Sequence, residues 1–112
     1  MEAYRVQIRV RSKNLRVGRG PLASVRRTTA ETQYLIGSAD DAFLCCRHAD
    51  IRPHHCWIVV HEQGVQARAA DAPIRVNDAA VDKRTELESG DVVSVGPLQL
   101  EVYFHSTVEE RG

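Results

Sequence analysis

Between residues 45 and 56 the chain concentrates the side chains that could do chemistry: Cys45, Cys46, His48, His54, His55 and Cys56. Thiolate and imidazole are common zinc ligands, so Cys-Cys-x-His followed by His-His-Cys raises a metal site as one reading. The spacing is not the Cys-x-x-Cys of structural zinc sites. On an extended strand the adjacent Cys45 and Cys46 also point to opposite faces, so the six side chains cannot all converge. The competing reading makes the cysteines small apolar side chains of the core, and no metal or other cofactor is assigned. Arg47 and Arg52 lie in the same stretch. A guanidinium binds carboxylates and phosphates through paired, charge-assisted hydrogen bonds, so anion binding is a second chemistry available here. No nucleophile, base and orienting group can be placed together from the sequence, and catalysis is not expected.

The element that must position these residues is Ile51-Arg52-Pro53-His54-His55-Cys56-Trp57-Ile58-Val59-Val60. Pro53 fixes its own backbone and biases Arg52 to an extended conformation, which places a turn at its start. Cys56 to Val60 is a short apolar run rich in β-branched and aromatic residues, which reads as a buried strand. The pattern predicts Ile58 and Val60 inside and Trp57 on the outer face.

The remaining segments read as strands separated by turn signals. Tyr4 to Val10 alternates apolar residues with Arg5, Gln7 and Arg9, and Leu98 to Phe104 alternates in the same way. These first and last strands are expected to pair. Between them, strands are predicted at Leu15–Val17, 33–37, Ala42–Cys46, Val65–Ala69, Ile74–Val76, Ala79–Val81 and 92–95, with residues 21–32 a loop or a short edge strand. Lys83 to Glu86 reads as a polar connector. No window has helical periodicity, so the expected fold class is all-β, an antiparallel β-sandwich or barrel. One domain is expected over residues 1–107, comprising a basic strand and extended loop over 1–32 and a core over 33–104. A flexible tail is expected over 108–112.

A chain of 112 residues with 43% hydrophobic and 27% charged content has the composition of one ordinary globular domain. No run approaches the length of a membrane span, and the basic N-terminus lacks the apolar core of a signal peptide, so the cytoplasm is the expected compartment. Three cysteines, two of them adjacent, fit reduced thiols better than a disulfide framework. The net charge of zero hides an asymmetry: residues 1–30 hold eight Arg and Lys against one acidic residue, and residues 31–112 hold seven against fourteen. Aromatic residues for base stacking are nearly absent from the basic part. The arginines therefore read as the solvated face of an edge strand rather than a nucleic-acid surface.

The order of motifs resembles a forkhead-associated (FHA) domain, a β-sandwich family that reads phosphothreonine. Leu35-Ile36-Gly37 stands where the family has a strand ending in Gly-Arg. Arg52-Pro53-His54-His55 stands at its Ser-x-x-His turn, with His55 in the histidine slot, and Val76-Asn77-Asp78 at its Val-Asn-Gly. Leu87-Glu88-Ser89-Gly90-Asp91-Val92-Val93-Ser94-Val95-Gly96 matches its closing Leu-x-x-Gly-Asp motif in full. The resemblance spans about residues 33–104 and implies an FHA-type antiparallel sandwich in which His55 is structural.

The departures fall on the ligand positions. Ser38 occupies the family's phosphate-binding arginine slot, Arg52 its phosphate-binding serine slot, and Ala72 the place of the asparagine that contacts the peptide backbone. What the resemblance then implies is a degenerate, non-catalytic protein-interaction module that does not need phosphothreonine. The partner-facing set is Ser38, Arg47, Arg52, His54, Arg75 and Asn77. The alternatives are a phosphopeptide or acidic peptide held by Arg52 and neighbouring arginines, or a metal at the Cys45–Cys56 cluster. The expected partner is a protein or phosphoprotein, not a membrane.

Overall fold

A computed structural model of the chain describes residues 4–12, 15–19, 25–28, 32–61 and 64–106. Its strands are β1 (Tyr4–Val10), β2 (Gly18–Arg19), β3 (Val25–Thr28), β4 (Thr32–Gly37), β5 (Leu44–Cys45), β6 (Cys56–His61), β7 (Gly64–Ala69), β8 (Ile74–Val76), β9 (Ala79–Val81), β10 (Arg84–Leu87), β11 (Asp91–Val95) and β12 (Leu98–Ser106). They form two six-stranded sheets, ordered β3-β1-β12-β11-β8-β9 and β10-β7-β6-β4-β5-β2. Pairing is antiparallel except between β4 and β5, which run parallel. The fold is an all-β sandwich of two mainly antiparallel sheets.

β1 and β12 pair from Tyr4 opposite Ser106 to Val10 opposite Leu100, joining the first and last strands as their alternation predicts. Their inward residues Val6, Ile8, Leu98, Leu100 and Val102 meet Ile36, Cys56, Ile58, Val60, Val65 and Ala67 of the second sheet in one buried cluster. Ile58 and Val60 lie inside and Trp57 is only half-buried on the outward register. Val59, also on that register, is nevertheless fully buried.

Three boundaries differ from the sequence reading. Leu15 and Val17 pack against the core without forming a strand, and the ladder starts at Gly18, which pairs with Cys45. The strand expected over Ala42–Cys46 shrinks to Leu44–Cys45, because Ala42 still belongs to a turn, its N–H donating to the Ala39 carbonyl. The polar segment before Leu87 is the edge strand β10, paired to β7; an edge strand needs only one buried anchor, and Leu87 supplies it. The expected tail over 108–112 lies outside the described residues.

Turn chemistry fixes the closing motif. Asn77 and Asp78 both have positive φ, 50° and 73°, the two-residue hairpin geometry that asparagine and aspartate tolerate best after glycine. The Asn77 carboxamide donates to an Asp91 carboxylate oxygen and accepts from the Val92 N–H, both at 2.9 Å. The other Asp91 oxygen accepts from the Glu88 N–H at 2.8 Å, and Ser89 Oγ accepts from the Phe104 N–H at 2.9 Å. The Leu-Glu-Ser-Gly-Asp segment is thus a set of backbone staples.

Candidate recognition site

Three loops meet at one end of the sandwich: residues 38–43 after β4, 46–55 before β6, and 70–73 after β7. The first contact that assembles them is backbone against backbone. A Cβ on Gly37 would lie 2.0 Å from the Pro53 carbonyl oxygen and 2.7 Å from that of Arg52, so only glycine lets the 52–53 turn approach the end of β4. Across this contact the Ser38 N–H donates to the Arg52 carbonyl at 2.9 Å and the Ala39 N–H to the Pro53 carbonyl at 3.2 Å.

His55 closes the assembly. Its N–H donates to the Ile36 carbonyl, and its own carbonyl accepts from the Ala70 N–H. The residue is 3% exposed. Nδ1 accepts from the Arg52 N–H at 3.1 Å, so Nδ1 carries no proton; Nε2 carries it and faces the Pro73 carbonyl at 3.2 Å. One buried imidazole therefore satisfies a donor on one loop and an acceptor on another. His54 points to solvent, but its backbone is tied as well: its N–H donates to the Asp71 carboxylate at 3.2 Å and its carbonyl accepts from the Asp71 N–H at 3.0 Å.

Of the residues assigned to partner binding, Ser38, Arg47, Arg52 and His54 lie at this end. Arg52 is exposed, and its guanidinium makes no ion pair among the described residues. Arg47 is paired with Asp40, with both side chains largely in water. Ser38 is half-buried. Arg75 is exposed on β8, two residues beyond Pro73, on the outer face of its sheet. Asn77 lies at the far end of β8, its carboxamide committed to Asp91 and Val92.

The sequence reading counted arginines and passed over the acids that alternate with them. Asp40, Asp41, Asp50 and Asp71 all stand exposed on these loops, against Arg47 and Arg52. Each loop brings its own aspartate, a signal that becomes visible only when the three loops are considered as one surface.

The Cys/His cluster does not assemble. Cys56 is fully buried in the core, and burial pushes its thiol up to about 12. Cys46 is also buried, and its thiol is raised by that burial and, secondarily, by the neighbouring Cys45. Cys45 Sγ donates to the Ser38 carbonyl at 3.7 Å, and His48 Nδ1 accepts from the Asp50 N–H at 3.1 Å. Among the described residues no three His, Cys, Asp or Glu side chains gather as metal ligands.

The FHA domain family profile matches residues 34–96. The fold is similar to the FHA domain of the CT664 protein from Chlamydia trachomatis, with TM-score 0.69 and 16% identity over 88% of this chain and 96% of that one. It is similar to the N-terminal FHA domain of Rad53p from S. cerevisiae, solved with a phosphothreonine peptide, with TM-score 0.68 and 13% identity over 90% of this chain and 94% of that one. The FHA-2 domain of the Mycobacterium tuberculosis ABC transporter Rv1747 shares 30% identity at TM-score 0.55, over 62% of this chain and 65% of that one. No curated protein sequence matches the chain.

Proposed function

The chain belongs to the FHA domain family, and from that premise we propose that it is a non-catalytic protein-interaction module whose recognition end takes a partner segment without requiring phosphothreonine. The observation that carries this reading is the charge of that end. Four exposed carboxylates face two guanidiniums, and one of those guanidiniums is already paired with Asp40. A phosphothreonine brings close to two negative charges and needs several donors to compensate its desolvation. Here Ser38 replaces the family's arginine, its N–H is spent on Arg52, and Ala72 offers no side-chain donor. The scaffold residues, by contrast, are present: Gly37 and His55 hold the loops as a rigid platform, the arrangement on which binding residues are usually displayed. A cytoplasmic setting suits three cysteines that form no disulfide with one another.

A second reading is favoured by one specific residue. The Arg52 guanidinium stands at the loop tip without an ion-pair partner among the described residues, and it could hold a phosphate or carboxylate from the position where the family has serine. Fluorescence-polarisation binding to matched phosphothreonine and unphosphorylated peptide libraries separates the two. Binding that phosphate does not improve is the expected result. Phosphate-dependent binding lost in Arg52→Ala overturns it and establishes the second reading.

A further inference from the structure

From the interaction-module reading, which supplies the source of the ligand, we infer that the outer face of the first sheet carries an accessory pocket for a carboxylate side chain of the bound partner segment. The pocket is a 330 Å³ depression lined by Pro73, Ile74, Arg75, Ala80, Ser94 and Gly96. Arg75 stands between Ser94 on β11 and Ala80 on β9, its cross-strand neighbours on either side. Ala80, Ser94 and Gly96 are small, and this is why a depression exists beside a long side chain. Ser94 adds a half-buried hydroxyl donor.

Charge selects the occupant. None of the six lining residues is acidic, and the exposed Arg75 guanidinium has no ion pair among the described residues. One guanidinium beside one hydroxyl suits a planar monoanion, which a guanidinium binds with two parallel hydrogen bonds. A phosphomonoester dianion would call for a second cation, and the pocket has none.

Position ties the pocket to the recognition end. Pro73 is the residue whose carbonyl faces His55 Nε2, and a Cβ on Gly96 would lie 2.8 Å from the Asp50 carbonyl oxygen. A segment lying across the loops at Asp50 and Pro73 reaches the pocket within a few residues. The partner would then be neutral or basic where it crosses the four aspartates and acidic where it meets Arg75.

The test is a ¹⁵N-correlation titration of the full chain with N-acetyl-glutamate α-amide, with N-acetyl-phosphothreonine methylamide as a parallel arm. Saturable shifts are expected at Arg75, Ala80, Ser94 and Gly96 with the glutamate probe. Affinity should fall at least tenfold in Arg75→Gln and less in Arg75→Lys, which keeps the charge but not the fork. Arg52→Ala should leave these shifts unchanged. Glutamate shifts that survive Arg75→Gln, that appear only at Arg52 and His54, or that are matched or exceeded by the phosphothreonine probe would overturn the pocket. Both substitutions are at an exposed position, so folding is not at risk. Peptide libraries that fail to bind while the glutamate probe still fills the pocket would count against the module reading alone.

Discussion

His55 and Pro73 are joined across two loops by a single interaction, Nε2 of the buried imidazole facing the Pro73 carbonyl oxygen at 3.2 Å. The same ring takes the Arg52 N–H on its other nitrogen. Remove the ring and two backbone groups at the recognition end lose their partners together. His55→Ala is therefore expected to lower unfolding free energy by roughly 2–4 kcal/mol, the lower part of the range set by about 1–3 kcal/mol for each of two orphaned groups, because both bonds are only part-buried. Urea denaturation followed by Trp57 fluorescence checks this; a loss within measurement error would show that the loops hold without the imidazole.

Gly37→Ala sets a methyl against the Pro53 carbonyl oxygen, where the available distance is 2.0 Å and the obstruction is backbone. The 52–53 turn must move, and a cost above ~2 kcal/mol is expected for such overpacking. Gly18→Ala is the control. Its nearest neighbour would be 3.7 Å away, and its stability should stay within ~0.5 kcal/mol of the parent.

Asn77 combines a left-handed backbone with two side-chain hydrogen bonds. Asn77→Gly keeps the backbone and loses the bonds; Asn77→Ala loses both. Alanine should therefore be the worse substitution by about 1 kcal/mol, the usual cost of a left-handed conformation for a residue with a Cβ. Equal losses in paired thermal melts would mean that the bonds, and not the turn geometry, set the conformation.

The Cys56 thiol, about 12 in the folded chain against 9.0 for an unburied thiol, makes a prediction for alkaline pH. Above pH 9 the unfolded chain gives up this proton while the folded chain keeps it. Stability is then fully present below pH 9 and falls as pH rises towards 12, with a limiting slope of about 1.4 kcal/mol per pH unit from this one group. Cys56→Ala should flatten the slope whatever it does to absolute stability. In the native state a thiol reagent at pH 8 should modify the half-buried Cys45 first, and Cys46 and Cys56 only on unfolding.

How much of this was legible in the sequence depended on how locally each feature is encoded. The Leu87–Gly96 motif was readable because its staples are made almost entirely within itself and to Asn77, and each demands a particular residue type. The β1–β12 pairing was readable because both strands alternate over their whole length. β10 was not: Arg84-Thr85-Glu86 looks like a connector, and only the neighbouring β7 makes it a strand. At the recognition end, Ser38, Arg52 and Ala72 were legible in the sequence as departures from the ligand pattern that the resemblance implies. The acidity of the surface was not, because Asp40, Asp50 and Asp71 are distant in sequence and become one surface only through His55 and Gly37. The depression beside Arg75 was equally hidden, since it depends on Ala80 and Ser94 being brought to either side of it by register.

The pairing of Tyr4 with Ser106 has a mechanical consequence. Both ends of the ladder leave from the same edge of the sandwich, and ladder hydrogen bonds run perpendicular to antiparallel strands. A force pulling the first and last strands apart therefore loads their seven paired positions one after another, as a zipper opens, and not all together in shear. The peeling starts at Tyr4 and Ser106 and reaches Val10 and Leu100 last, beside the turn that packs on Asp50. Under tension this ladder yields first at the end remote from the loops, and the end beside the candidate recognition loops is the last part of it to feel the load.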